Sequence, residues 1–279
     1  MPEEDVRATG ALLAQGIIEK LSAAGRIFDL SHELTREMPV HPSHPSFTFT
    51  LLTRHGDWHR EHGYSIANEL IVMSGHHGTH IDALGHVSLE GKLHGDVDAF
   101  EAQRGTEGLQ AKDAAALPPI LTRGVLVDVA GSRGVPELEP GEEVTLNELE
   151  AILQQANITI QTGDAVLFRT GWSGRWGSPT MFYPQDGAQP GPAEPVAKWL
   201  LDKRIAVTGS DTMVFECVRP RQNSMPVHGT LLVHGGIPII EMLDLDELAR
   251  SQVHEFLLIC LPLRIRGATG SPIRPIALA

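Results

Sequence analysis

The sequence holds only two cysteines, Cys217 and Cys260, among 279 residues. Two thiols so far apart make no disulfide framework, and a reducing, cytoplasmic setting is expected. No run reaches about 18 apolar residues, so no membrane-spanning helix is expected. No Lys/Arg run or basic patch occurs and the formal net charge is −13, which argues against a nucleic-acid partner. The opening Met1-Pro2-Glu3-Glu4-Asp5 has the wrong charge for a signal peptide. A Gly-x-Ser-x-Gly nucleophile elbow and a Gly-x-x-x-x-Gly-Lys-Ser/Thr phosphate loop are both missing, which removes two common reaction classes. There is no internal repeat and no low-complexity linker. Residues 27–279 are therefore expected to form a single domain, after an N-terminal helical extension over 1–26 whose apolar spacing predicts a helix at 6–24. With 42% hydrophobic and 20% charged residues, the composition is that of an ordinary soluble enzyme.

Histidine is what the chain has in quantity. Eight of the fourteen histidines fall between positions 55 and 94, and the active site is expected there. The densest stretch, Ser74 to His86, brings His76, His77, His80, Asp82 and His86 within eleven residues. Imidazole and carboxylate are ligand types for divalent zinc, manganese and iron. Ligand atoms around one ion must each lie about 2.0–2.2 Å from it. A helix puts His76 and His80 on one face but turns Asp82 away. A strand aligns His80 with Asp82 but leaves His76 about 13 Å from His80. A tight turn at Gly78-Thr79 gathers all three, and glycine supplies the freedom for it. Three protein ligands with open positions are the pattern of a catalytic site, in which bound water becomes a nucleophile. His86 stands four residues past Asp82, well placed as general base or acid; the alternatives are a fourth ligand or an anchor behind the ligands. His77 reads as a supporting residue.

Periodicity elsewhere predicts mixed α and β structure. Short strands are expected at 26–30, at 46–53 with Phe47, Phe49 and Leu51 inward, and at 64–73. Further strands are expected at 124–128, 164–169, 205–209, 237–241 and 255–263. Thr145-Leu-Asn-Glu148 is a capping box that opens a helix over 146–156, and 192–203 is a second helix. A polar loop at 89–108 and a Gly/Pro/aromatic loop at 171–191 are expected to rim and cover the site. His228, which begins a helix at 228–233, and Glu241, which ends a strand, form a second constellation. They complete the first site, hold a second ion or touch substrate; the bland readings are a core histidine and a capping carboxylate. Asp211 reads as a turn or cap residue. Phe47, Trp58, Trp172 and Trp176 are candidates for gripping a planar substrate.

The stretch His76-x-Gly78-Thr79-His80-x-Asp82-x-x-x-His86 resembles the motif H-x-G-T-H-x-D-x-P-x-H-F of the cyclase family of metal-dependent hydrolases. That family includes bacterial kynurenine formamidase and isatin hydrolase. Leu84 and Val87 replace the motif's proline and phenylalanine, which makes the stretch more similar to the isatin hydrolase branch. Asp29–His32 with Met38-Pro39, Asp164–Trp172, Gly209–Thr212, and His228 with Ile237–Glu241 resemble other parts of the family. The resemblance implies a swivelling β/β/α domain with a central β-barrel-like core, usually a homodimer or homotetramer. It implies that His76, His80 and Asp82 bind Mn2+ or Zn2+ and that His86 is the acid/base. It implies one manganese in isatin hydrolase-like members. In formamidases a second zinc is held by the shared aspartate with the late His and Glu. The expected activity is hydrolysis of a small cyclic amide, isatin-like, to a carboxylate. Rivals are an arylformamidase on N-formylkynurenine, a lactone or ester hydrolase, and a non-catalytic metal-binding protein.

Overall fold

Nine strands join in one mixed sheet. They are β1 (Ile27–Asp29), β2 (His80–Asp82), β3 (Ile120–Asp128), β4 (Ala165–Arg169), β5 (Val207–Ser210), β6 (Ile239–Glu241), β7 (Glu255–Cys260), β8 (Gly270–Pro272) and β9 (Ile276–Leu278). Their spatial order is β1-β9-β7-β3-β4-β5-β6-β2-β8. The computed structural model describes residues 25–58, 60–222 and 224–279, so the helix expected at 6–24 lies outside the described residues.

The linker Ile273–Pro275 dictates the sheet's shape. It joins β8, at one edge, to β9, seven positions away in the order. In a flat sheet seven strand spacings span about 34 Å. Four extended peptide steps cover at most about 14 Å. The sheet must therefore curl until its edges approach. Hydrogen bonds tie the linker to both sides: Ile273 N–H donates to Thr79 O (3.0 Å), and Leu30 N–H donates to Pro275 O (2.9 Å). Ile81, Leu126, Leu167, Val207, Ile240, Leu258 and Ala277, from seven strands, fill one common core inside the curl. This is the barrel-like α/β fold that the resemblance implied.

The centre of the sheet, β3-β4-β5-β6, is parallel. Parallel neighbours need crossover connections. Helices Leu146–Gln155 and Glu194–Lys203 lie in two of those crossovers and pack Leu149, Ile152, Val196 and Leu200 on Val125, Val127, Val166 and Phe168. Burial on both faces explains why these strands read as continuous apolar runs. The Thr145 side chain accepts from Glu148 N–H (3.3 Å), as a cap should. Glu148 does not return the bond; its carboxylate takes Arg133 instead (2.6 and 3.0 Å).

Several expectations need correction. Phe49 and Leu51 are exposed, not inward. Their strand, Thr48–Thr53, pairs only with Asn68–Val72, in a two-stranded arm outside the main sheet. Alternation identified a strand, but among the described residues no layer covers the face assigned to the core. The stretch 89–108 is not all loop, since it forms a small hairpin, Lys92–Leu93 with Val97–Asp98, and a helical turn capped by Asp98. The helix bearing His228 begins earlier, at Pro226, and continues as a π-helix over Gly229–Gly235. The two cysteines are free and buried.

Asp211, just after β5, is fully buried and ties the end of β4 to the end of β5. Its carboxylate accepts from Thr170 N–H (2.9 Å), Thr170 Oγ1 (2.7 Å) and Gly171 N–H (2.8 Å). Removing it strands buried donors. Asp211→Ala is expected to lose about 2–4 kcal/mol, and Asp211→Asn, which keeps one acceptor, distinctly less. Urea unfolding of both variants measures this; a loss under about 0.5 kcal/mol for the alanine variant would show the tie to be dispensable.

Candidate metal centre

Strand alternation puts His80 and Asp82 on one face of β2. Glu241 lies directly opposite His80 on antiparallel β6. Opposed side chains project together, so three ligand-type groups meet at one point of the sheet. A turn returns His76 to the same place. Gly78 sits there at φ +60°, and a Cβ on it would strike the Leu34 side chain. Gly270, on the next strand, leaves room for the His76 ring, because a Cβ there would come within 2.6 Å of ring carbon Cε1.

Each imidazole is fixed by a bond on its outer side. The His80 Nδ1–H donates to Gly78 O (2.9 Å), so Nε2 faces inward with its lone pair. His76 Nε2 bonds Thr269 Oγ1 (2.8 Å), which leaves Nδ1 inward, 2.8 Å from Asp82 Oδ1. His80 Nε2 lies 3.5 Å from Asp82 Oδ1 and 3.4 Å from Glu241 Oε2. None of His80 Nε2, Asp82 Oδ1 and Asp82 Oδ2 has a hydrogen-bond partner, although all three are buried. Buried carboxylate oxygens and ring nitrogens packed this closely need positive charge between them, either protons on the rings or a metal ion. The set His76, His80, Asp82 therefore fits a divalent ion, with its ligand atoms all within 4.8 Å of one another.

A second triad meets the same distance test: Asp82, His228 and Glu241. His228 Nε2 is 3.8 Å from Asp82 Oδ2 and 3.2 Å from Glu241 Oε1. Glu216 aims it, accepting from both the His228 ring at Nδ1 (2.7 Å) and its backbone N–H (3.0 Å). Glu241 Oε1 also accepts from Phe215 N–H (2.8 Å). Thus the structure brings His228 and Glu241 to the first cluster, with Asp82 common to both. Burial disfavours charge on His80, but the Asp82 and Glu241 carboxylates override it and lift the imidazole to about 10. Burial likewise opposes charge on His228, and Glu216 and Glu241 raise it to about 10. Burial pushes Asp82 upward, yet His86, His76 and His80 together hold it well below the ordinary carboxylate value.

His86 Nε2 lies 4.0 Å from Asp82 Oδ2, and its ring is tilted over that of His76 at 4.1 Å. Burial lowers its pKa against the opposing pull of Asp82, so the ring is neutral near pH 7. A cavity of about 190 Å³ opens beside His76, His80, His86, His228 and Glu241, walled by Met213, Val214, Met225 and Met242 and by His41, Ser43 and His44.

None of the four proposed aromatics lines that cavity. Phe47 is buried against His77. Trp58 is 70% exposed, beyond the exposed strand Thr48–Thr53. Trp172 is fully buried, its indole N–H donating to Phe182 O (2.9 Å), and Trp176 stacks on His32 at 4.1 Å. His77 accepts from Ser74 N–H (3.2 Å), a supporting contact. Sequence reasoning missed Glu216, Thr269, His41 and His44. Only the last two carried a signal: in His41-Pro-Ser-His44, proline favours a turn. The His44 N–H closes that turn on His41 O (2.9 Å).

Comparison with known proteins gives the same direction. Residues 28–217 match the family model Cyclase, described as "Putative cyclase". An isatin hydrolase of Roseibium aggregatum is 28% identical over 219 residues, 75% of this chain and 73% of that protein. A kynurenine formamidase of Bacillus cereus is 26% identical over 248 residues, 89% of this chain and 95% of that protein. A crystal structure of a novel cyclase superposes with TM-score 0.82 at 27% identity, covering 93% of this chain and 92% of the other.

His80 binds an ion only as neutral imidazole. Because its pKa without an ion is raised to about 10, it is cationic at pH 7 and must lose a proton on binding. Affinity for Zn2+ is therefore expected to rise between pH 6 and 8, with proton release visible in titration calorimetry across buffers of different ionisation enthalpy. Binding that is pH-independent and releases no proton would contradict this ligand assignment.

Proposed function

The chain belongs to the cyclase family, and on that premise we propose that it is a metal-dependent hydrolase that opens a small cyclic amide, isatin-like, to a carboxylate. The observation that carries the reading is the orphaned set His80 Nε2, Asp82 Oδ1 and Asp82 Oδ2, buried at the edge of a cavity that also holds His86. A divalent ion in that set, manganese or zinc, supplies Lewis acidity and an activated water when bound. The chain's own residues supply the rest. Gly78 O, Thr269 and Glu216 hold three imidazoles in register with Asp82. His86, neutral and open to the cavity, takes a proton and returns it to the leaving nitrogen. The methionine side chains flank the substrate and keep bulk water from it.

The isatin hydrolase among the relatives supports a cyclic amide, and the kynurenine formamidase supports the rival linear formamide. The cavity's small volume, about 190 Å³, favours the compact ring. Esters and lactones stay in the same class. A purely metal-storing protein has no use for His86 beside the ligands.

Two variants separate binding from chemistry. His86→Ala is expected to keep its metal and lose about 10²–10⁴-fold in turnover. His80→Ala is expected to lose both metal and activity. Elemental analysis beside isatin hydrolysis reads both; a His86→Ala protein as empty of metal as His80→Ala would make His86 a ligand instead.

We also propose a homo-oligomer, a dimer or tetramer. The two-stranded arm exposes Leu52, Leu70, Ile71 and Val72 at 44–56%. An isolated hairpin is marginal in water, and this one offers an apolar surface to a second copy. Light scattering is expected to show more than one chain per particle, and Leu52→Lys with Ile71→Lys to shift it to the monomer; a monomeric parent protein at micromolar concentration would refute the proposal.

A further inference from the structure

The cavity at the metal centre has a neighbour. Its His41, Val214 and Met225 also line a second cleft, of about 480 Å³, that runs on toward the surface. The first cavity, at about 190 Å³, is smaller than the usual small-molecule site of about 300–1,000 Å³. The two together fall inside that range. We infer that the second cleft is a distal substrate subsite that receives a neutral, carbon-rich arm attached to the group hydrolysed at the metal centre. This rests on the hydrolase reading above and deepens it.

Three features give the cleft its chemistry. First, its walls include Val87, Leu89, Tyr183 and Val218, and no Lys, Arg, Asp or Glu lines it among the described residues. A charged or zwitterionic arm would be desolvated there without a partner. Second, Tyr183 is fixed in the second cleft by His41, which lines both spaces. His41 Nδ1 accepts from Ser43 N–H (3.2 Å), so the ring proton is on Nε2 and donates to the Tyr183 hydroxyl at 3.2 Å. The hydroxyl's own proton remains for an acceptor on the ligand. Third, the cleft is kept open at Gly229, one residue after His228. A Cβ there would meet nothing within 4 Å, so no packing contact forbids a side chain at that point. Any larger residue would instead project into the space the arm requires.

The test uses two metal-chelating probes with the same head, acetohydroxamate and 6-phenylhexanohydroxamate, on the zinc-loaded protein. Each methylene moved from water into an apolar site adds about fourfold in affinity. The long probe is expected to bind at least tenfold tighter by calorimetry. Gly229→Leu, which plugs the cleft, and Leu89→Lys, which charges its rim, are each expected to bring the long-to-short ratio toward one. Equal affinity for the two probes, or a ratio untouched by both variants, would overturn the subsite. Leu89 is far enough along the chain from the metal ligands to serve if Gly229→Leu misfolds. Turnover of isatin and a simple lactone, run in parallel, decides the hydrolase reading separately, since probe binding needs no catalysis.

Discussion

Asp82 is a fully buried carboxylate with no hydrogen-bond donor on either oxygen. A lone ionised carboxylate in such a place costs far more than a folded domain's whole stability margin. The charge is tolerable only because imidazoles converge on it: His80 at 3.5 Å and His228 at 3.8 Å carry positive charge, and His76 at 2.8 Å and His86 at 4.0 Å stand beside them. Those four histidines come from a turn, a strand, the short helix Pro226–His228 and a loop. Their convergence is the constraint that the rest of the architecture has to meet.

The curled sheet meets it by placing β2 between β6 and β8. From β6 the antiparallel register sets Glu241 opposite His80. From β8 the absence of a side chain at Gly270 admits the His76 ring. The short linker from β8 to β9 then closes the sheet, and Ile273 N–H bonds Thr79 O inside the motif itself. The motif is thus clamped by the same hydrogen bond that helps close the barrel. Disturbing the closure disturbs the ligands.

What was readable in the sequence follows chain distance. His76, His80, Asp82 and His86 stand within eleven residues, so one turn sufficed to relate them. Leu126, Leu167 and their neighbours were readable as buried strands because both faces are covered. The arm at Thr48–Thr53 misled, because alternation shows two faces without saying whether anything packs on them. The tryptophans misled differently. An aromatic in a Gly/Pro-rich loop suits a substrate wall and a small satellite core equally well, and Trp172 found a buried carbonyl for its indole proton. Glu216 gave no local sign at all: a glutamate twelve residues before a histidine meets it only through the fold.

Glu216 would also let one scaffold serve either of two occupancies. Were a single ion held by His76, His80 and Asp82, His228 would keep its proton on Nε2 and remain between Glu216 and Glu241, as it lies here at 2.7 and 3.2 Å. Were a second ion held by Asp82, His228 and Glu241, that proton would have to leave. Glu216 still accepts the Nδ1–H at 2.7 Å, so the ring does not turn. The proton and the second ion therefore compete for the same nitrogen in an unchanged scaffold. Each neutralises Glu241, which burial and the nearby Asp82 would otherwise drive toward protonation and which His228 and His80 hold ionised. With ligand positions fixed in this way, passing from one ion to two would need no rearrangement, and the concentrations of metal and of protons would decide between them.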